Sequence, residues 1–489
     1  MKTCWTRPGE GTYNRRALRY DFALRLASVE DARGQALGTA SLFSYVADLP
    51  APERAQRPVV FAFNGGPGAA SVYLHLGGLG PWRVDFPTDL HLGAQSPPPP
   101  LRPHPDTLLD VADLVFIDPV GTGFGRVAPQ ADTAALYSVE GDAACFSQIV
   151  CNWLRDQQRH ASPKVLLGES YGTQRAAFMA DRLLNTEGIT LDGVALLGQA
   201  VNVQETLDRH GNLAGAVAGF AFQATTAWFH GISAHTFSSA HEATEAALAF
   251  AWGPYAQALL QGQRLGRAEV DAMAQALQGW TGVAKETYLR NRLWLSKEAF
   301  LDELLRSRGL ALGRCDARYR APAADAAAGE ATTDPSMVRT KPGYVAAAAA
   351  YLESESSGIA AADGAVAARE GYRLRDDQAG AAWCWRETSA RGFMRFGQPS
   401  PFETYPYVGR LTQFMRQAPQ ARLFIGTGLY DALTTAGAAE HLLRHYDLPL
   451  DRSEHRWYAA GHMMYTDPEA CRQLMRDLRR FVTADGTPP

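Results

Sequence analysis

Five short apolar runs constrain the fold more than any other feature of this chain. They are "RPVVFAFN", "ADLVFIDPV", "KVLLGES", "DGVALLGQA" and "ARLFIGTG". A strand with one wet face alternates apolar and polar residues, whereas a continuous run fits a strand covered on both faces. "EHRWYAAG" is a sixth candidate. Helical patterns separate several of them, such as Val139 to Arg155 and Thr434 to Tyr446. Buried strands alternating with helices predict an α/β fold with a mostly parallel central sheet. Residues 18–46 alternate instead, and "DARGQALG" divides them, which predicts a hairpin.

The texture changes between about Asn202 and Pro406. Strand-like runs disappear there, and amphipathic or Ala-rich segments take over: His241 to Gln263, Arg267 to Trp280 and Lys297 to Arg308. The expected organisation is a first core part at 1–201, a helical cap insertion at 202–406 and a second core part at 407–489. The segments "APAADAAAGEATTD" and "AAAAAYLESESSGIAAADGAVAARE" are low in complexity and read as mobile loops.

A hydrophobic content of 46% and a charged content of 20% are ordinary for a globular protein. The net charge of −4 gives no footprint for nucleic acid or an anionic membrane. "MKTCWTRPGEGTYNRR" lacks the apolar core of a signal peptide, and no run approaches a membrane span. These features predict a cytoplasmic protein. Six cysteines in 489 residues do not make a disulfide framework, so all six are expected to be free. Cys145 and Cys151 read as small core residues.

The chemistry begins at "LLGESYGTQRA". Here G-x-S-x-G stands between an apolar strand and a helix predicted from Thr173 to Leu184. That is the form of a nucleophile elbow, in which both flanks must be small because the serine backbone is strained. Ser170 then needs a base and the base an orienting carboxylate, in chain order Ser, acid, His. "LFIGTGLYDALTT" puts Asp431 just past a strand, and "HRWYAAGHMMYTDP" puts His462 just past another. Acyl transfer also needs N–H donors for its oxyanion. The Tyr171 N–H follows the nucleophile, and "FNGGPG" after "VVFAF" offers Gly66 as the second donor.

Together, "FNGGPGAASVYLHLGGLGPWRV", "VFIDPVGTGFG", "GESYGTQRAA", "GTGLYDALTT" and "AAGHMMYTDP" resemble the serine carboxypeptidases, especially their bacterial branch. The blocks stand in the family's order. "FLDELLRSRGLALGRCDARY" and "DPSMVRTKPGYVAAAAAYL" resemble the insertion of that branch. The resemblance implies an α/β-hydrolase fold with a helical cap, a peptide substrate trimmed at its C-terminus, and neither metal nor cofactor. It implies that Ser170 is the nucleophile, His462 the base and Asp431 its orienter. It also implies that Asn64, Gly65 and Glu169 bind the substrate's terminal carboxylate. A neutral acid at Glu169 can donate to a carboxylate, whereas an anion would repel it.

Two positions depart from the family. Its second glutamate, in E-L-G-P, is replaced by Gly78 in "GLGP", which puts a proton-sharing acid pair in doubt. Gly125 stands where a serine is usual. An esterase, amidase or acyltransferase built on the same three residues is the alternative reading, because fold does not fix substrate.

Other signals carry less. "GTGFG" follows a strand, but Arg126 occupies the position of a dinucleotide fingerprint's third glycine. His441 and His445 have ligand spacing, but Leu442 stands where a zincin has glutamate. Arg314, Asp316 and Arg318 read as an ion pair pinning cap segments. Tyr73, Trp82 and Trp228 are candidate pocket walls, with core packing as their default role.

Overall fold

The structure is a computed structural model, and it describes residues 1–90, 93–323, 334–353, 371–385 and 407–483. Its centre is a ten-stranded sheet. The strands are β1 (Lys2–Tyr13), β2 (Arg16–Glu30), β3 (Ala36–Ala47), β4 (Val59–Phe63), β5 (Asp113–Ile117), β6 (Lys164–Glu169), β7 (Gly193–Leu197), β8 (Arg422–Gly428) and β9 (Ser453–Tyr458). They lie in the order β1-β2-β3-β5-β4-β6-β7-β8-β9, and the short strand Arg126–Val127 pairs with β3. From β5 to β9 every pairing is parallel. The long strands β1 to β3 form an antiparallel edge. The expected hairpin is β2–β3; β1, whose residues carry no apolar alternation, extends it through backbone pairing from Lys2 to Tyr13.

The apolar runs are continuous because both faces are covered. Val60, Ala62, Val165, Leu167, Ala195 and Leu197 join one core. Phe61, Phe63, Leu166, Val194 and Leu196, their alternates, join the other. The second core is completed by helices Val139–Asp156, Tyr171–Asn185, Tyr407–Gln417 and Ala436–His445. The first is completed by helix Pro468–Thr483 through Leu474, Leu478 and Phe481. A third core holds Leu213–Phe229, Ala240–Phe250 and Arg267–Thr281 together around Phe220, Leu248, Leu277 and Trp280.

Residues 202–406 depart from the expected texture in three ways. A small antiparallel pair, Leu310–Leu312 with Arg320–Pro322, interrupts the helices. The helix expected over His241 to Gln263 is broken by a π-turn at Ala251–Tyr255, because Pro254 has no N–H to continue the ladder. The helix Pro335–Ala347 and the turn after it pack with the sheet rather than with the third core: Tyr344, Ala347 and Leu352 are buried within the first core. Much of the two Ala-rich segments, 324–333 and 354–370, lies outside the described residues.

The sheet's connections leave β4 toward β5 on one side and β6 toward β7 on the other. Such a switch point opens a crevice beyond the carboxyl ends of the two strands, where open α/β sheets bind ligands. The opposite end is tied by charge. The buried Asp113 carboxylate accepts from Ala47 N–H at 2.9 Å, from Arg57 Nε at 2.8 Å and from Arg159. Replacing Asp113 with alanine leaves two buried guanidinium groups without their counter-charge, a change that costs about 3–5 kcal/mol. A lowered urea midpoint, followed by circular dichroism, is the expected outcome for Asp113→Ala.

Candidate active site

Ser170 sits at the sharp turn between β6 and the helix Tyr171–Asn185, with φ 58° and ψ −128°. The turn is held by Ser170 N–H donating to Leu197 O at 2.9 Å and by Thr173 N–H donating back to Ser170 O at 2.9 Å. Its flanks must be glycine: a Cβ on Gly168 would collide with the Gly172 carbonyl. The loop after β4 crosses directly against this elbow. A Cβ on Gly65 would lie 2.5 Å from Tyr171 N and 2.6 Å from Gly172 N. Among the described residues, the N–H groups of Gly66 and Tyr171 make no backbone hydrogen bond.

A buried arginine fixes the two loops to each other. Arg175, one turn past Ser170, donates to the Asn64 carbonyl at 2.7 Å and to Asp142 at 2.7 Å. The Tyr171 hydroxyl donates to the same Asp142 carboxylate at 2.9 Å. Asp118, in "IDPVG", accepts from Ser71 N–H and Ser41 Oγ at 2.8 Å and from Tyr372 at 3.0 Å, bracing the segment after the glycines.

Asp431 follows β8 and is fully buried. It accepts from Leu433 N–H at 2.7 Å, Thr434 N–H at 3.2 Å and the Thr434 hydroxyl. Its Oδ2 lies 2.7 Å from His462 Nδ1. His462 follows β9 and is held from the inserted region. Its N–H donates to Cys315 O at 2.6 Å, and Gly461 N–H donates to Asp316 at 3.1 Å. Arg318 ties Asp316 to Asp467 and to Ala459 O. The ion pair expected among Arg314, Asp316 and Arg318 is therefore Asp316–Arg318, and it anchors the histidine loop.

Ser170 and His462 line one cleft of about 680 Å³ with Asn64, Gly65, Gly66, Glu169 and Tyr171. Asp431 stands behind the imidazole. All eight sequence-predicted residues thus converge at the carboxyl ends of β4, β6, β8 and β9. Of the three candidate aromatic walls, Tyr73 lines the cleft; Trp82 and Trp228 do not. Sequence reasoning missed Arg175, Asp142 and Asp118. The signal for Arg175 was a charged residue on a buried helix face one turn from the serine.

Burial acts on each ionisable group, and partners decide the outcome. Desolvation would raise the Asp431 carboxyl, but His462 and three hydrogen bonds hold it below its ordinary range. Desolvation would lower the His462 imidazole, but Asp431 overrides it and raises it. Glu169 has less compensation. Burial lifts it to about 7 against the opposing pull of His462, Tyr465 and Asn64. Asn64 Nδ2 donates to its Oε1 at 2.9 Å, while Asn64 Oδ1 accepts from Leu74 N–H at 2.9 Å and fixes the amide's orientation. The arrangement offers a hydroxyl, an oriented imidazole, free N–H donors and an acid that is neutral below about pH 7.

Among the described residues, no cluster could hold a metal ion. His441 and His445 contact each other and Trp252 on a helix face.

A parallel-centred sheet carrying a serine elbow defines an α/β-hydrolase. A solved prohormone-processing carboxypeptidase from Saccharomyces cerevisiae superposes with TM-score 0.55 at 14% identity, over 95% of this chain and 92% of that one. In sequence, the pheromone-processing carboxypeptidase KEX1 of Saccharomyces cerevisiae is 31% identical over 155 residues, 29% of this chain and 20% of that relative. The match therefore spans about a fifth of that relative's length. Residues 35–253 match the serine carboxypeptidase family profile.

Gly65→Ala forces the glycine loop away from the elbow. Misplacement by about 1 Å costs on the order of 100-fold in reaction rate. Labelling of Ser170 by an organofluorophosphonate is expected to slow by that factor, with the circular dichroism spectrum unchanged.

Proposed function

We propose that the protein is a serine carboxypeptidase that removes C-terminal residues from peptides through an acyl-enzyme. Ser170 attacks the last peptide carbonyl while His462 takes the hydroxyl proton, and Asp431 orients the imidazole and stabilises its charged form. Gly66 and Tyr171 N–H groups receive the developing oxyanion. His462 then returns the proton to the leaving amine, and water repeats the cycle on the ester. Asn64, Gly65 and Glu169 receive the substrate's free carboxylate.

One observation carries the substrate assignment: a buried carboxyl, Glu169, directly precedes the nucleophile and faces the same cleft with an amide-fixed orientation. A neutral Glu169 donates to a carboxylate, and its burial is what keeps it neutral at mildly acidic pH.

The test compares a blocked dipeptide bearing a free C-terminus with its amide. A strong preference for the free acid, lost in Glu169→Ala, is expected; equal rates on both would instead establish the esterase or amidase reading. Ser170→Ala is expected to lower kcat by several orders of magnitude, and Asp431→Asn by about 10³–10⁴ through loss of the oriented tautomer.

The pH dependence has a fixed sign. Glu169 is raised, so its acid form predominates below about pH 7 and the repelling anion above. KM for the free-acid substrate is expected to be lowest below about pH 6 and to climb through pH 7–8, as steady-state kinetics will show.

A further inference from the structure

Gly78 removes the second carboxyl that the family places near Glu169, and the structure shows what occupies that space. A Cβ on Gly78 would lie 2.6 Å from Tyr465 Cβ and 3.0 Å from its Cγ. A Cβ on Gly77 would lie 2.6 Å from Tyr465 Cε2 and 2.6 Å from the Tyr344 hydroxyl. The Tyr465 ring therefore lies flat against a backbone that tolerates no side chain. A glutamate at position 78 and this tyrosine exclude each other.

The polar ends of these side chains are unusual. Glu169 Oε2, Tyr465 Oη and Tyr344 Oη are all buried, and none has a hydrogen-bond partner. Tyr465 and Tyr344 are completely buried, and Glu169 is 4% exposed. A buried polar atom without a partner is costly, and these three belong to groups that act on one another's charge. The Tyr465 hydroxyl stands close enough to Glu169 to favour its charged form, though short of a hydrogen bond. Tyr465 follows His462 by three residues, on the loop that carries the imidazole.

We propose that Tyr465 is a positioning residue for Glu169, taking the place of a second acid: its ring fills the space over Gly77 and Gly78, and its hydroxyl, standing beside the Glu169 carboxyl before substrate binds, favours the anion as a donor. The inference rests on the carboxypeptidase reading for its purpose, but not for its chemistry. A phenol differs from a carboxyl in one decisive way. It remains protonated throughout the working pH range, so it donates and never competes for the proton. Two adjacent carboxyls share one proton and titrate as a coupled pair. Glu169 with Tyr465 carries a single proton that titrates in the working range, on Glu169, and capture of a terminal carboxylate follows one titration.

Every element packed around Glu169 supplies a group that bears on that titration. Asn64 comes from the loop after β4, Tyr73 from the helical turn following it, and Tyr344 from helix Pro335–Ala347, with Arg83 facing Tyr344. His462 and Tyr465 come from the last loop, and Asp431 lies behind His462. Among these, Tyr465 and Asn64 stabilise the Glu169 anion through their donors, and His462 through its charge. Asn64 is committed to Leu74 through its carbonyl oxygen. Tyr465 is the donor whose removal leaves the loop geometry intact.

Tyr465→Phe keeps the ring against Gly77 and Gly78 and removes only the hydroxyl. Infrared titration of the unliganded full chain reads Glu169 directly, its protonated-carboxyl band assigned by loss in Glu169→Gln. A lost donor penalises the anion, so the midpoint in Tyr465→Phe is expected to rise by roughly one pH unit. The pH at which KM for the free-acid dipeptide begins to climb is expected to rise with it. An unchanged or lowered infrared midpoint overturns the inference. Failure of the carboxypeptidase reading is seen separately, as equal rates of the wild-type protein on the free acid and the amide, while the infrared midpoint still decides the role of Tyr465.

Discussion

The site depends on one buried cation. Arg175 receives no water, and its guanidinium lies 3.9 Å from the Phe146 ring centroid and between the Asp142 carboxylate and the Asn64 carbonyl. Through these contacts it joins the helix that carries Ser170, the helix Val139–Asp156 and the glycine loop after β4. A charge in that position is tolerable only when paired and hydrogen-bonded, so the arginine enforces the geometry that satisfies it. That geometry brings Gly65 to its closest approach to the elbow and leaves the Gly66 and Tyr171 N–H groups facing the cleft. The strained backbone of Ser170 persists because the structure around it leaves no alternative.

Two buried carboxyls in the same site end in opposite charge states. Asp431 receives an imidazole and three donors, and these outweigh desolvation. Glu169 has one amide donor to Oε1 and none to Oε2, and desolvation wins. A single cleft therefore holds an anion paired with an imidazole and an acid that is neutral only below about pH 7. Neither state follows from residue type; each follows from a count of donors.

The region between β7 and β8 helps to build the cleft rather than only covering it. The segment around Cys315–Arg318 supplies the carbonyl and carboxylate that hold Gly461 and His462 in place. Tyr344 reaches from the helix Pro335–Ala347 into the core beneath the cleft. Tyr372 steadies Asp118, whose acid burial lifts to about 6. The ends of four strands from one sheet are thus completed by three separate pieces of inserted chain.

The sequence by itself determined the sheet and the cast of the site. Short continuous apolar runs fit strands covered on both faces, and G-x-S-x-G, the glycine loop and Asp431 each come just after such a run, as His462 comes after the sixth candidate. Position after a strand is a local property, so it is legible in one dimension. Arg175 and Tyr465 were not legible, because nothing within a few residues of either states its partner. Asp142 lies a helix away from Arg175, and Glu169 lies more than half the chain away from Tyr465. The course of residues 335–353 was hidden for the same reason: an Ala-rich helix carries little periodicity to say which surface it covers. Tertiary structure decided the charge states, the clamp and the filling of the space above Gly78, since desolvation and pairing act through space and leave no pattern along the chain.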